Sequence, residues 1–412
     1  MWGKTVSATN NNHVDVEQQV QEFIANIHPS AENFESTIQG LQELVYQLID
    51  EAERAKRVEL LKTSVEQVMT MYETQSTPEQ KVHVLLDLAH KYEQLGAWDL
   101  ALDTFENALN LATENALYRQ RIEALRWMGH IYVMQNQWDK AKKMYEESLS
   151  FSLEHSDTEG EAHARNALGY FFFETGHFDQ ASSEWQSALE LAEKLQETQM
   201  VASFYTNLGV LANVLGEWEK ALAYYNESVP RFEQVGKRRN LAETYHNMAM
   251  TYADADRWAE AGSYYEKSYQ IAKDEGDVRL QALVKLNRIK LYLSIHDLVL
   301  AKAYSRYALR TFVQLEDHLG QADAQKFLGM IYTREQNWEM AQSNFESSIQ
   351  INKAYEHPLG EAEAHVEYAR MFEDKEDIES ARSQLETAED IYATLGLQKE
   401  LSNVQNRIKD LP

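Results

Sequence analysis

The sequence predicts an all-α fold built as a solenoid of helix pairs, and three observations predict it. Alanine returns every forty residues without a slip in register, at Ala101, Ala141, Ala181, Ala221, Ala261, Ala301, Ala341 and Ala381. A second residue precedes each alanine by twelve: Ala89, Gly129, Gly169, Gly209, Ala249, Gly329 and Ala369 are small, and Ile289 is the bulky exception. Five prolines and sixteen glycines in 412 residues leave room for little besides helix and short turns. A solenoid has no single core, because each unit packs on its neighbours, so this length does not require division into globular domains.

Each period reads as two amphipathic helices. Leu88, Ala89 and Tyr92 share one face of a first helix, and Ala101, Phe105 and Ala108 share one face of a second. Small residues on both let the backbones approach, and an aromatic fills the space beside the contact. That aromatic follows the small residue by three at Tyr92, Tyr132, Phe172, Tyr252, Tyr292, Tyr332 and Phe372, with Ala212 in its place once. Gly96, Asn136, Gly176, Gly216 and Asp256 occupy the turn between the helices, where a left-handed helix end is expected. A large apolar residue then opens every second helix: Trp98, Trp138, Phe178, Trp218, Trp258, Leu298, Trp338 and Ile378.

Ahead of the array, residues 1–13 are polar and Asn-rich, and read as a disordered tail. Residues 14–76 form an amino-terminal helical segment. Val16, Val20, Phe23, Ile24 and Ile27 stripe a first helix that His28-Pro29 ends, and Ser30 can cap the next. The stripe Ile38, Leu41, Val45, Leu48, Ala52 and Ala55 restarts as Val58, Leu61, Val65, Val68 and Tyr72. With no Gly or Pro near Ala55-Lys56-Arg57, one continuous helix is favoured over a hairpin breaking there. Thr77-Pro78-Glu79-Gln80 has a cap oxygen, proline at the first helical position and a capping box, and opens eight units spanning residues 77–395. Residues 396–412 supply a capping helix with Leu401, Val404, Ile408 and Leu411 on its apolar face.

The formal net charge of −27 argues against non-specific binding to nucleic acid or to an anionic membrane. Without cysteine there is neither a disulfide framework nor thiolate chemistry. No signal-like amino end and no run of eighteen apolar residues occurs, so a soluble, cytoplasmic protein is expected. No phosphate loop, GxSxG or HExxH motif is found, and the histidines fall in different repeats, so neither an enzyme nor a metal or cofactor site is expected.

Stretches such as Asn207-Leu208-Gly209 with Trp218, Ala221 and Tyr225, or Phe327-Leu328-Gly329 with Tyr332, Trp338, Ala341 and Phe345, resemble the tetratricopeptide repeat in its forty-residue form. The resemblance covers roughly residues 77 to 395. It implies a right-handed superhelix whose first helices line a concave groove that binds peptides or protein segments. On that scheme Asn207, Asn247 and Asn287 stand two residues before the landmark in three consecutive repeats, and Asn166 stands three before Gly169. Asparagine carries a donor and an acceptor at one end, so such a series can hold the backbone of an extended peptide; the alternative use is to bind neighbouring helices. Lys290, Lys326, Arg334 and Arg370 fall at groove offsets of repeats six to eight, with Arg288 beside them. They favour an acidic segment or a free carboxylate, unless they pair with Asp323, Glu363, Glu373 and Asp374. Nearer the amino end, His83, His90, His130, His163, Tyr170, Phe173 and His246 share this face.

The expected function is a non-enzymatic scaffold or adaptor that grips an extended peptide. The alternative, from a weaker resemblance to peptide-pheromone receptors with a short front bundle, is a regulator in which a signalling peptide repositions the amino-terminal helices to control a partner protein. A third expectation is a homodimer paired through the 38–72 stripe.

Overall fold

The computed structural model describes residues 9–48, 54–135, 137–315, 317–355 and 357–412. It forms two compact units, residues 1–167 and 168–412.

The first unit opens with α1 (Thr9–Ala25), α2 (Phe34–Leu48) and α3 (Arg54–Met71). Helix α1 starts at Thr9, five residues before Val14, where the amino-terminal helical segment is expected to begin; residues 1–8 lie outside the described residues. Ser30 opens a single 3-10 turn over Ala31–Asn33, its N–H donating to Asn33 Oδ1 at 3.0 Å. The continuous helix expected over the 38–72 stripe is also corrected. Tyr72, at the end of α3, lies 5.0 Å ring to ring from Phe34 at the start of α2. Its hydroxyl bonds Asn33 Oδ1 at 2.7 Å and Thr37 Oγ1 at 3.0 Å. At 1.5 Å of rise per residue, an unbroken helix would hold these ends roughly 50 Å apart, so α2 and α3 form an antiparallel hairpin. Helix α2 ends at Leu48 and α3 begins at Arg54; residues 49–53, with Ala52 of the expected stripe, lie outside the described residues. The phase shift in the apolar stripe is the trace of this reversal. Ile38, Leu41, Val45, Leu61, Val65, Val68 and Tyr72 are all buried in one core that continues into the first repeat. These seven residues of the stripe pack within one chain.

Helix α4 (Pro78–Gln94) starts as the sequence predicts: Gln80 N–H donates to Thr77 Oγ1 at 3.2 Å, and Thr77 N–H to Gln80 Oε1 at 3.0 Å. It packs on α5 (Trp98–Glu114), and α6 (Tyr118–Met134) packs on α7 (Trp138–Glu154). The boundary between the units falls within α8 (Thr158–Glu174).

In the second unit the pairs continue as α9 (Phe178–Leu195), α10 (Thr198–Val214) with α11 (Trp218–Val235), and α12 (Arg238–Asp254) with α13 (Trp258–Asp274). There follow α14 (Val278–Asn287) and α15 (Ile289–Ser294) against α16 (Leu298–Gln314), α17 (His318–Arg334) with α18 (Trp338–Ala354), α19 (Pro358–Asp374) with α20 (Ile378–Leu395), and α21 (Gln398–Asp410).

One contact recurs. Each glycine landmark meets a large aromatic side chain sixteen residues later on the second helix. A Cβ placed on Gly129 would lie 2.5 Å from the Tyr145 ring, on Gly169 2.6 Å from Trp185, and on Gly329 2.7 Å from Phe345. In the sixth repeat the matching pair is Ile289 and Ser305, both fully buried. Bulk has moved from the second helix to the first, and the first helix is interrupted beside it, at Arg288. Among the described residues, left-handed backbone recurs every twenty positions wherever a turn is described, from Gly96 (φ +62°) through Ala116, Ser156, Gly176, Gln196 and Gly216 to Gly396 (φ +71°). Asn136, at one of the expected turns, and residues 316 and 356 lie outside the described residues.

Helix α21 covers Leu385, Ala388 and Tyr392, with Leu397 and Val404 buried against them. The same cluster takes in Phe178 and Val214. A Cβ on Gly176 would lie 2.7 Å from the Leu395 carbonyl oxygen, and Lys399 Nζ sits 4.4 Å above the Trp218 ring. The carboxyl end of the second unit therefore rests on turns more than 180 residues upstream.

Candidate peptide-binding faces of the first helices

In the second unit α10, α12 and α14 carry Asn207, Asn247 and Asn287 at one register, all half-buried. Their amides are not equivalent. Asn287 Nδ2 lies 2.9 Å from His246 Nε2 and 3.6 Å from Met250 Sδ, so this amide ties α14 to α12. Burial depresses His246 to about 4, leaving a neutral imidazole whose Nε2 accepts that bond. Asn207 also has a partner. The side-chain amide of Asn247 makes no hydrogen bond among the described residues and keeps its donor and acceptor for a ligand. Tyr170, on the same unit's part of α8, bonds the Glu174 carboxyl, which burial raises.

The basic wall expected in repeats six to eight is mostly neutralised by its own helices. Lys326 is buried, its ammonium 2.9 Å from Asp323 Oδ1 and 2.5 Å from Glu363 Oε2. Burial works to lower this ammonium, but the two carboxylates overcome it and hold it raised. Lys290 pairs with Asp254 at 3.3 Å, Arg370 with Glu367 at 3.0 Å and Arg288 with Glu266 at 3.0 Å. Only Arg334, exposed at the end of α17, has no ion pair among the described residues. For Lys326 the physical reason is register: Asp323 stands three residues before it on α17, and Glu363 holds the matching position on α19, so both carboxylates meet its ammonium.

In the first unit the same face carries a cluster centred on Trp127 of α6. His90 of α4 meets that indole edge-on at 4.4 Å, and His130 does so at 5.4 Å. His90 Nε2 is 3.6 Å from Glu123, and His130 Nε2 is 3.8 Å from Glu93. The His90 bond holds the Glu123 carboxyl below its ordinary range, while burial raises Glu93. His83, at the rim, lies 3.8 Å from Glu35 and 3.2 Å from Gln120 Nε2. Arg126 places its guanidinium 5.0 Å from the Trp127 ring centre. Asn166 is half-buried on the first unit's part of α8 and has a partner of its own. Sequence reasoning passed over Arg126, although the register could have found it: it precedes Gly129 by three, the offset that Asn166 holds before Gly169 and Lys326 before Gly329.

Among the described residues no group of three or more His, Asp or Glu is arranged to hold a metal ion, and no helix is long and apolar enough to cross a membrane.

The tetratricopeptide repeat model matches residues 81–154 and 200–274. No curated protein matches the sequence significantly. Several solved structures share the fold at low identity. One is a Rap protein complexed with competence and sporulation factor: 14% identity, TM-score 0.56, covering 81% of this chain and 98% of that one. Another is the Rap conjugation gene regulator of the plasmid pLS20 in complex with the Phr* peptide, at 14% identity and TM-score 0.56, covering 84% and 96%. A third is the apo form of the quorum sensor NprR from B. thuringiensis, at 16% identity and TM-score 0.53, covering 83% and 96%. The chain thus carries tetratricopeptide repeats at residues 81–154 and 200–274, and its consecutive packed helix pairs share the fold of these structures.

Proposed function

We propose that the protein is a non-enzymatic scaffold or adaptor that holds an extended peptide segment of a partner along the first-helix faces of its repeats. The observation that carries this reading is the series Asn207, Asn247 and Asn287, half-buried at one register on α10, α12 and α14, with the Asn247 amide unused by the protein. A half-buried amide with both functions free suits a peptide backbone, which offers a carbonyl and an N–H at every residue. The net charge of −27 sets nucleic acid and anionic membrane aside as partners. The test is capture from native lysate with peptide mapping, by the wild type and by Asn247→Ala. Loss of a mapped partner segment at unchanged helicity and melting supports the reading; undiminished capture by Asn247→Ala and by the triple Ala variant at 207, 247 and 287 overturns it.

A second reading, a peptide-responsive regulator, is favoured by the front segment. Helices α1 to α3 share a core with α4 and α5, so a ligand that shifts α4 also shifts them. Proteins of the same fold include a Rap protein complexed with competence and sporulation factor and the quorum sensor NprR. A captured peptide that leaves the solution-scattering profile unchanged at saturation removes this reading and keeps the first.

A further inference from the structure

We propose that the exposed face of α16, with Lys285 of α14 beside it, is a docking surface for an acidic amphipathic helix of a partner protein. It adds a second surface to the asparagine register and is independent of peptide binding there.

Three observations carry it. First, this face reverses the pattern of its counterparts. Val299, Ala303, Arg306, Arg310 and Val313 follow one another at steps of three and four, so they share one side of α16, and all are exposed, Val299 at 80% and Val313 at 55%. At the place of Val299, six of the other seven repeats carry an acid: Asp99, Asp139, Asp179, Glu219, Glu339 and Glu379. At the place of Arg306, five carry glutamate: Glu106, Glu146, Glu266, Glu346 and Glu386. Exposed valine and arginine where the rest of the array keeps solvated carboxylates mark a surface made for contact.

Second, the cations of this face are left without carboxylates. Residues 278–315 hold seven cations, Arg279, Lys285, Arg288, Lys290, Lys302, Arg306 and Arg310, against Asp297 alone, a net of +6 within a chain of −27. Four of the seven are met by carboxylates of neighbouring helices and turns: Arg279 by Asp317, Arg288 by Glu266, Lys290 by Asp254 and Lys302 by Glu335. Lys285, Arg306 and Arg310 make no ion pair among the described residues. Arg306 Nη2 donates to the Tyr332 hydroxyl at 3.3 Å, and Arg310 Nε to the Arg306 carbonyl oxygen at 3.3 Å. Lys285 Nζ stands 3.6 Å from the centre of the Tyr307 ring and 5.1 Å from that of Tyr269. These contacts use a minority of the donors that two guanidinium groups and an ammonium carry, and they neutralise no charge. The face therefore attracts an acid that the chain itself does not supply.

Third, the spacing dictates the shape of the partner. Val299 and Val313 stand about 21 Å apart along α16, at 1.5 Å of rise per residue, with both arginines between them. A second helix lying along α16 repeats its side chains at the same spacing, so apolar residues about four turns apart with Asp or Glu between them meet the valines and the arginines together. A second copy of the chain offers no such helix from its repeats: no other second helix has large apolar residues at both valine places, and two chains of −27 repel each other.

The test uses the full chain and a displayed library of helical peptides randomised along one face. Peptides selected on the wild type are depleted on the double variant Arg306→Glu, Arg310→Glu, which removes any that bind elsewhere. Glutamate already stands at the first of these places in five repeats, and circular dichroism and melting compare the variant's fold with the wild type. The survivors are expected to carry Asp or Glu between two apolar residues and to bind the wild type at least about tenfold more tightly than the double variant. Val299→Asp is expected to weaken them as well. A survivor whose acids are changed to Lys is expected to bind the double variant and not the wild type, an exchange that a folding defect cannot produce. Depletion on Arg306→Gln, Arg310→Gln replaces the first depletion if the reversed variant does not fold. No survivor, or survivors without an excess of acids, overturns the docking surface. A dimer seen by light scattering in the wild type and lost in the double variant gives the face to a second copy instead. A single-stranded oligonucleotide of random sequence that binds the wild type and not the double variant gives it to nucleic acid, and either result overturns the partner helix.

Discussion

Gly169 lies so close beneath the Trp185 indole that a Cβ on it would come within 2.6 Å of the ring, and the same relationship joins Gly129 to Tyr145 and Gly329 to Phe345. These pairs hold first and second helices at a separation that only a missing side chain allows. Gly169→Ala is expected to destabilise the protein by about 1–3 kcal/mol through overpacking, although alanine is the better helix former by about 1 kcal/mol. Urea melts of Gly169→Ala, Trp185→Leu and the double variant check this. The expected outcome is strong non-additivity, with the alanine costing little once the indole is gone.

Lys326 between Asp323 and Glu363 makes a second expectation. Lys326→Met removes the cation that Asp323 and Glu363 share; both carboxylates are nearly half exposed and stay solvated, so the expected cost is about 1 kcal/mol. Burial pushes the Glu363 carboxyl upward and Lys326 outweighs it, so its folded pKa is depressed. A carboxyl of this kind contributes stability above its unfolded pKa and loses it as pH falls through the folded value. The melting difference between wild type and Glu363→Gln is therefore expected to be full at neutral pH and to shrink below about pH 4.5. Thermal melts from pH 7 to 3 read this directly, and a difference that stays constant across the range sinks the account.

Two glycines of similar backbone separate conformation from contact. Gly236 has φ +69° with nothing within 4 Å of an added Cβ, while Gly176 has φ +77° and faces the Leu395 oxygen at 2.7 Å. Gly236→Ala is expected to lose about 1 kcal/mol, the ordinary cost of a side chain in left-handed backbone. Gly176→Ala is expected to lose more, because Leu395 must also move. Equal melting shifts for the two variants would show that the carboxyl end does not rest on this turn in solution.

The front hairpin hangs on Tyr72. Tyr72→Phe keeps the ring against Phe34 and removes the bonds to Asn33 and Thr37, at an expected cost of about 0.5–1.5 kcal/mol for each bond lost. Hydrogen exchange checks where the loss falls: α2 and α3 are expected to exchange faster and α10 to α13 to be unaffected.

The repeat was legible because its cause is local and periodic. A small residue at one offset and an aromatic at another recur however the rest of the chain varies, so helix order, the Thr77 cap and the glycine turns could be read from spacing alone. The sixth repeat was legible only as an anomaly: Ile289 broke the pattern, but its compensation, Ser305, became meaningful once both were seen buried at matched positions. The 38–72 hairpin was misread because a three-residue phase shift has the same sequence signature in a continuing helix as in a reversing one. On the first-helix faces, spacing set the register of each residue and not its partners. Whether Lys326 is free or neutralised depends on Glu363, 37 residues away, and whether an asparagine is idle depends on a histidine in the preceding repeat. Pairing across helices has no period, and so it left no trace in the spacing.

The seat of Leu395 on Gly176 bears on how such a chain can change its copy number. Arrays of this kind ordinarily gain and lose units by duplication and deletion, since each unit meets only its neighbours. Here a forty-residue insertion anywhere between α9 and α20 would carry Leu395 and Lys399 past Gly176 and Trp218, and a deletion would stop them short. The second unit is therefore a counted assembly, in which inheritance of a whole repeat is penalised as a point substitution in a core would be.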